Sequence, residues 1–157
     1  MNITTSKAVK KFSMTFALLS VKPGRLHDEF NLPSGVMTTR NLVIKVTSGP
    51  EAAERCAQAF TVGAVAASSG AHVSLWLTGE SSWFALPGRA EEFELPHSAP
   101  LPDLMEAILA NGTITLCTQC AARREITAEM LRDGVRIAGA QVFVSEILED
   151  GTQALVY

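Results

Sequence analysis

From residue 41 onward, apolar positions alternate between the period of a buried strand and the period of a helix. Leu42, Val43, Ile44 and Val46 form a nearly unbroken run, as in a strand covered on both faces, and a strand is predicted over 42–47. Ser48, Gly49 and Pro50 read as a turn into a helix, with proline at its first position and Glu51 in its first turn. That helix is predicted over 50–69, because Ala52, Cys56, Ala59, Phe60, Gly63 and Ala67 recur every three or four residues. Gly70 ends it, and a second strand follows over 71–78. Residues 80–100 lack a period; they hold Trp83, Phe84, the Pro87-Gly88 pair and the acids Glu91, Glu92 and Glu94. Leu101, Leu104, Met105 and Ile108 predict a helix over 100–110, closed by Asn111 and Gly112, with a third strand over 113–117. Beyond it the pattern predicts a helix over 127–137 with Thr127 as N-cap and Gly139 at its end. A fourth strand over 141–145, one helical turn over 146–150 and a fifth strand over 154–157 complete the chain.

Strands separated by helix-length segments imply parallel pairing with right-handed crossovers. The expectation is therefore one three-layer α/β/α domain over 41–157, with a parallel five-stranded sheet of flavodoxin-like character. Residues 1–40 differ: Lys7, Lys10, Lys11, Lys22 and Arg25 precede any acid, and residues 12–21 are mildly apolar. A signal peptide would need small residues at a cleavage site after Val21, where Lys22, Pro23 and Gly24 stand instead. We read 1–40 as an accessory or disordered N-terminal tail.

Composition narrows the class. At 157 residues the chain suffices for one domain with a true core, and 47% hydrophobic against 18% charged residues makes it globular. A net charge of −3 without a basic run argues against nucleic acid as a direct partner. No apolar run approaches the roughly 18 residues of a membrane span. Three cysteines, an odd number, do not suggest a disulfide framework, so a cytoplasmic location is expected.

The candidate chemistry lies where the third strand ends. Cys117 closes a β-branched run, Cys120 follows three residues later, and Arg123 and Arg124 come next. Strand exits in open α/β sheets are where ligand crevices form. Nearby arginines favour the thiolate, which is the reactive form. As a zinc site the CxxC lacks a second ligand pair, since Cys56, His72 and His97 stand singly. As a thioredoxin-like motif it would follow the first strand rather than the third. The plain alternative, a buried strand cysteine acting as a small hydrophobe, stays open.

These pieces together resemble the DsrE/DsrF-like family of small sulfur-relay proteins, some of whose members are labelled predicted peroxiredoxins. The resemblance runs from Leu42 to Tyr157. It rests on Thr47-Ser48-Gly49-Pro50, the alanine-rich helix and Gly70-Ala71-His72-Val73. It continues through Pro100-Leu101-Pro102-Asp103-Leu104, the Cys117-to-Arg124 block and the closing Ala154-Leu155-Val156-Tyr157. It implies a DsrEFH-like fold, homo-oligomers (trimers or hexamers), and Cys117 as the sulfur carrier with Cys120 as a second cysteine found in many relatives. The family usually has glycine after the basic pair, where this chain has Glu125. The expectation is that the turn is rebuilt and that a carboxylate now lies near the thiolate.

The leading function is accordingly a carrier of sulfane sulfur as a persulfide on Cys117, serving sulfur donor and acceptor proteins. No metal or organic cofactor is required. The alternatives are a thiol peroxidase or dithiol reductase in which Cys120 resolves Cys117, and a non-catalytic oligomeric binding module, which Glu125 favours slightly. Among supporting residues, Arg123 and Arg124 would supply positive potential, and His97 is a candidate proton donor whose loop position suits plain solvation better. Trp83 and Phe84 would wall the crevice or, more in keeping with their type, fill core or interface. His72 and Cys56 read as structural, and the Ser48-Gly49-Pro50 turn is a weak candidate for anion binding.

Overall fold

A computed structural model describes residues 40–157, so the expectation for the tail at 1–40 lies almost wholly outside the described residues. Strand β1 (Asn41–Val46) leads through a 3-10 turn (Pro50–Ala52) into helix α1 (Ala53–Ser68). Strand β2 (His72–Leu77), a 3-10 turn (Gly79–Ala85), helix α2 (Leu101–Leu109) and strand β3 (Gly112–Cys117) follow. The short helix α3 (Thr118–Arg123), a 3-10 turn (Ala128–Met130), strand β4 (Val135–Ala138), helix α4 (Ala140–Ile147) and strand β5 (Thr152–Val156) complete the domain.

All pairings are parallel and the sheet order is β4-β3-β2-β1-β5. Four strands step in one direction, and the chain then crosses to the far side, where β5 pairs with β1. This is the expected five-stranded parallel α/β sheet; its order differs from the 2-1-3-4-5 of flavodoxin itself.

Strand β2 shows why the sheet has two different faces. Val73, Leu75 and Leu77 enter the main core with Phe60, Met105 and Ile108 of α1 and α2. Gly63 is the point of closest approach there, since a Cβ on it would stand 3.0 Å from Ile108 and 3.4 Å from Ile44. Ser74 and Trp76 face the other way, toward α4. Phe143 meets the Trp76 ring edge-on at 5.3 Å, and the Glu146 carboxylate accepts Trp76 Nε1–H at 2.8 Å and Ser74 Oγ–H at 2.7 Å. Arg136 on β4 closes that network with a 3.0 Å ion pair to Glu146.

Near the C-terminus the expected elements are exchanged. The helix expected over 127–137 is a 3-10 turn followed by β4, and the strand expected over 141–145 lies within α4. Gly139 is the N-cap of α4 rather than the end of a helix. The cause is a short apolar run, Val142, Phe143, Val144 and Ile147, that fits either period. What decides is the edge of β3: Val135 and Ile137 pair with Ile114 and Leu116, and a parallel β5 on the far edge then needs a crossover helix. The strand count is unchanged.

Candidate functional site

In a parallel sheet all carboxyl ends share one edge, and here the exits of β1, β2 and β3 meet there. Behind β1, the Gly49 N–H is taken by the Glu51 carboxylate, with N···O distances of 2.9 and 3.0 Å. The turn's own side chain thus fills the position suggested for an external anion. Behind β2 the chain turns sharply at Gly79, whose φ of +54° places it in the left-handed region. Thr78 and Ser81 lock that turn onto β1: Thr78 Oγ1 donates to the Val46 carbonyl at 2.7 Å, and Ser81 Oγ bonds to the same oxygen at 2.9 Å.

Behind β3 stand the two cysteines. Cys117 is half-buried and is the N-cap of α3; Cys120, one turn along, is 7% exposed. Both are free thiols, and the Cys117 side chain lies beside Cys120 and acts on its ionisation. Burial pushes the Cys120 thiol up, yet it lies below its ordinary value. The Gly79 backbone N–H, the Cys117 and Ser82 side chains and the Arg124 charge favour its thiolate and together outweigh burial.

The arginines divide. Arg124 is held by Glu80 at 2.7 Å, lies 5.6 Å from the centre of the Trp83 ring, and reaches the Cys120 carbonyl at 3.5 Å. Arg123 is exposed on the last turn of α3. Trp83 is half-buried with Arg89 on its ring at 6.0 Å, whereas Phe84 is core, edge-on to Phe60 and Phe93. Trp83, Phe84, Phe93, Pro50, Arg89 and Glu92 line a cleft of about 250 Å³.

His97 is not brought to the cysteines. It lines a groove of about 360 Å³ with Glu54, Gln58 and Thr61 of α1. Loop residues are placed by tertiary contacts that no local pattern encodes. His72, exposed at the start of β2, lies at the opposite end of the strand from the cysteine exit. Among the described residues no group of three His, Cys, Asp or Glu side chains is arranged to hold a metal, and no helix is long and apolar enough to cross a membrane.

Glu125 corrects a second expectation. Its φ is +55°, so the turn keeps the left-handed conformation instead of being rebuilt, and Ile126 N–H still bonds to the Ala121 carbonyl at 3.0 Å across it. The side chain is exposed, and the groups acting on the Cys120 thiol do not include it. A non-glycine residue in this region costs roughly 1–2 kcal/mol. Glu125→Gly is therefore expected to stabilise the domain by about 0.5–1 kcal/mol, after the added freedom of the unfolded chain is subtracted. Urea unfolding midpoints of the two proteins check this; a lower midpoint for the variant would show that the carboxylate holds the turn.

Cys56 is fully buried on α1 and its thiol is pushed up from 9.0 to about 12, by burial first and by the Glu51 charge second. The unfolded thiol ionises near 9 and the folded one only near 12. Across that window the unfolded state binds fewer protons, so native stability falls as pH rises. Cys56→Ala is expected to flatten this part of the stability profile above pH 9, measured by denaturant unfolding at stepped pH. A variant whose profile parallels the parent would refute the assignment.

Gly79, Glu80 and Ser82 were missed by sequence reasoning, which assigned no role to the turn after the second strand. The available signal was topological: in a parallel β2–β3 pair, the turn after β2 must lie beside the turn after β3.

A model of the DsrE/DsrF-like family matches residues 40–156, which includes both cysteines and every turn described above. The chain belongs to the DsrE/DsrF-like family. An uncharacterised protein of Methanocaldococcus jannaschii, MJ0760, is 29% identical over 140 residues, covering 88% of this chain and 50% of the relative. The chain therefore spans about half the length of that relative. The crystal structure of the ychN protein from E. coli superposes with a TM-score of 0.63 at 20% identity, over 75% of this chain and 99% of that one. At that identity the likeness concerns the fold. Within the family's fold, this chain places the CxxC pair beside the exit of β2.

Proposed function

We propose that this protein carries sulfane sulfur as a persulfide on Cys117. The carrying observation is the thiol pair: Cys117 half-buried and open at the strand exit, in contact with a buried Cys120 beside Arg124. Membership of the DsrE/DsrF-like family supports the reading. The Cys117 thiolate attacks the outer sulfur of a donor persulfide, the donor leaves as a thiolate, and Cys117 holds the transferred sulfur. An acceptor thiolate attacking that outer sulfur reverses the step and restores Cys117. If Cys120 attacks the Cys117 sulfur instead, an intramolecular disulfide forms and hydrosulfide leaves, and a dithiol reductant resets the pair.

The contact between the thiols also favours a second reading, a thiol peroxidase. In it peroxide oxidises Cys117 to sulfenic acid, and Cys120 condenses with it to a disulfide and water. In the sulfur-carrying reading the working setting is the reducing cytoplasm, with donor and acceptor proteins as partners and the chain as a trimer or hexamer. Support for self-association lies on α4 and β5, where Val142, Val144, Leu155 and Val156 are exposed.

Intact mass measurement after incubation with polysulfide, and separately with peroxide, distinguishes the readings. A gain of one sulfur atom that a mild reductant reverses supports relay. Reversal separates a persulfide from sulfinic acid, which has nearly the same mass but resists that reductant, whereas a peroxide-driven disulfide without sulfur uptake supports the peroxidase.

A further inference from the structure

Two serines stand side by side in the turn after β2, both 0% exposed, and only one is used by the fold. Ser81 Oγ accepts the Thr78 N–H at 3.0 Å and bonds to the Val46 carbonyl at 2.9 Å, so it ties the turn to the end of β1. Ser82 Oγ is buried and has no hydrogen-bond partner among the described residues. Leaving a buried hydroxyl unpaired is unfavourable, and such a group calls for an explanation outside the resting structure. Ser82 faces Cys120, together with the Gly79 N–H. As a neutral thiol Cys120 is only a weak acceptor for that hydroxyl; as a thiolate it is a strong one.

We propose that Ser82 is a positioning residue whose hydroxyl, with the Gly79 N–H, holds the Cys120 sulfur as the internal nucleophile that clears Cys117. This rests on the sulfur-carrying reading above. The Cys120 thiolate attacks Sγ of the Cys117 persulfide, and the Cys117–Cys120 bond forms as the sulfur–sulfur bond of the persulfide breaks. The electron pair leaves with hydrosulfide, and a dithiol reductant restores both thiols by exchange. The titratable and charged groups that face Cys120 are Cys117 at the head of α3 and Arg124 at its end, with Glu80 of the β2 turn holding Arg124. Ser82 adds the neutral donor. It stabilises the thiolate without a counter-charge that would compete for an incoming anionic donor.

The test compares Ser82→Ala with Ser81→Ala. In a Cys117→Ser background, where Cys120 is the thiol that titrates below Cys56, the ultraviolet absorbance of the thiolate gives the Cys120 midpoint directly. Ser82→Ala is expected to raise that midpoint by about one unit, the size of one hydrogen bond to a charged group, while leaving the thermal midpoint unchanged or higher. Ser82→Thr keeps the hydroxyl and should keep the low midpoint. Ser81→Ala should lower thermal stability instead.

In the otherwise native chain loaded with persulfide, hydrosulfide release should show crossed pH profiles. Below the parent midpoint the variant has about tenfold less thiolate but about threefold greater nucleophilicity, so it is about threefold slower. Above both midpoints it is about threefold faster. A residue that merely filled space would give parallel profiles. An unchanged Cys120 midpoint in Ser82→Ala would overturn the proposal. A raised midpoint with no sulfur uptake on Cys117 would instead overturn the sulfur-carrying reading and leave the Ser82–Cys120 contact supported.

Discussion

Cys117→Ser is expected to abolish persulfide loading, while Cys120→Ser loads normally and then holds its sulfur. The argument is one of access and connectivity. Cys117 is the half-buried thiol at the exit of β3, whereas Cys120 is 7% exposed beneath it and surrounded by groups that suit an anion. A donor persulfide must bring its outer sulfur into line with the attacking thiolate, and only the open cysteine offers that approach. Replacing Cys117 by serine leaves a hydroxyl that is no nucleophile at neutral pH, so loading falls to background rather than by a small factor. Replacing Cys120 removes the internal attack, so loaded protein should release hydrosulfide slowly and deliver sulfur only to an added thiol acceptor. Cys56→Ser should change neither step, because Cys56 is fully buried and its thiol is pushed up to about 12. Intact mass measurement after polysulfide treatment, followed by peptide mapping, reads all three variants. Sulfur found on Cys120 in the parent protein, with Cys117 inert, would sink the mechanism and restore Cys117 as a packing residue.

The largest effect on stability is expected at Gly79. Its φ of +54° disfavours any side chain, and a Cβ there would run into the Thr47 carbonyl, the oxygen that accepts the Glu80 N–H at 3.1 Å. The obstacle is backbone already bonded into the junction of two strand exits, so it cannot move aside as a flexible side chain would. Gly79→Ala should therefore cost roughly 2–4 kcal/mol, left-handed strain and overpacking combined, or about 10 °C in thermal midpoint for a domain of this size. Gly88 provides the control. Its φ of +82° is equally left-handed, but a Cβ there meets nothing within 4 Å among the described residues. Gly88→Ala should cost only the strain, about 1 kcal/mol. Equal midpoints for the two variants would show that the β1–β2 junction yields more readily than its bonding implies. Because the Gly79 N–H also faces Cys120, a folded Gly79→Ala protein should show a less acidic Cys120 as well.

Much of this architecture was legible in the chain. The runs at 42–47, 71–78 and 113–117 correspond to β1, β2 and β3 within a residue or two, because β-branched segments bounded by glycine or a polar turn offer no competing period. The alanine-rich helix α1 was legible for the same reason, since its small residues recur on one face and Gly63 admits Ile108 and Ile44. The position of Cys117 at a strand exit, with Cys120 and two arginines behind it, needed only local spacing and family resemblance.

Tertiary structure decided the rest. Whether 135–138 or 141–145 became the edge strand depended on which segment reached β3, since both carry β-branched residues. The left-handed turn at Glu125 was retained because bonds across it, from Ile126 to Ala121, hold a conformation that glutamate alone disfavours. His97 and Cys120 both looked like candidates near one site, but a loop is placed by what it packs against, and His97 lies against α1. The environment of Cys120 was the least legible feature. Gly79 and Ser82 stand about forty residues upstream, on a different strand exit, and only the parallel pairing of β2 with β3 brings them to the sulfur. The chain by itself determined β1, β2 and β3, the first helix and the position of the cysteines; how those cysteines are held is decided by contacts between distant turns, because hydrogen bonds to a thiolate depend on distances in space that no spacing along the chain records.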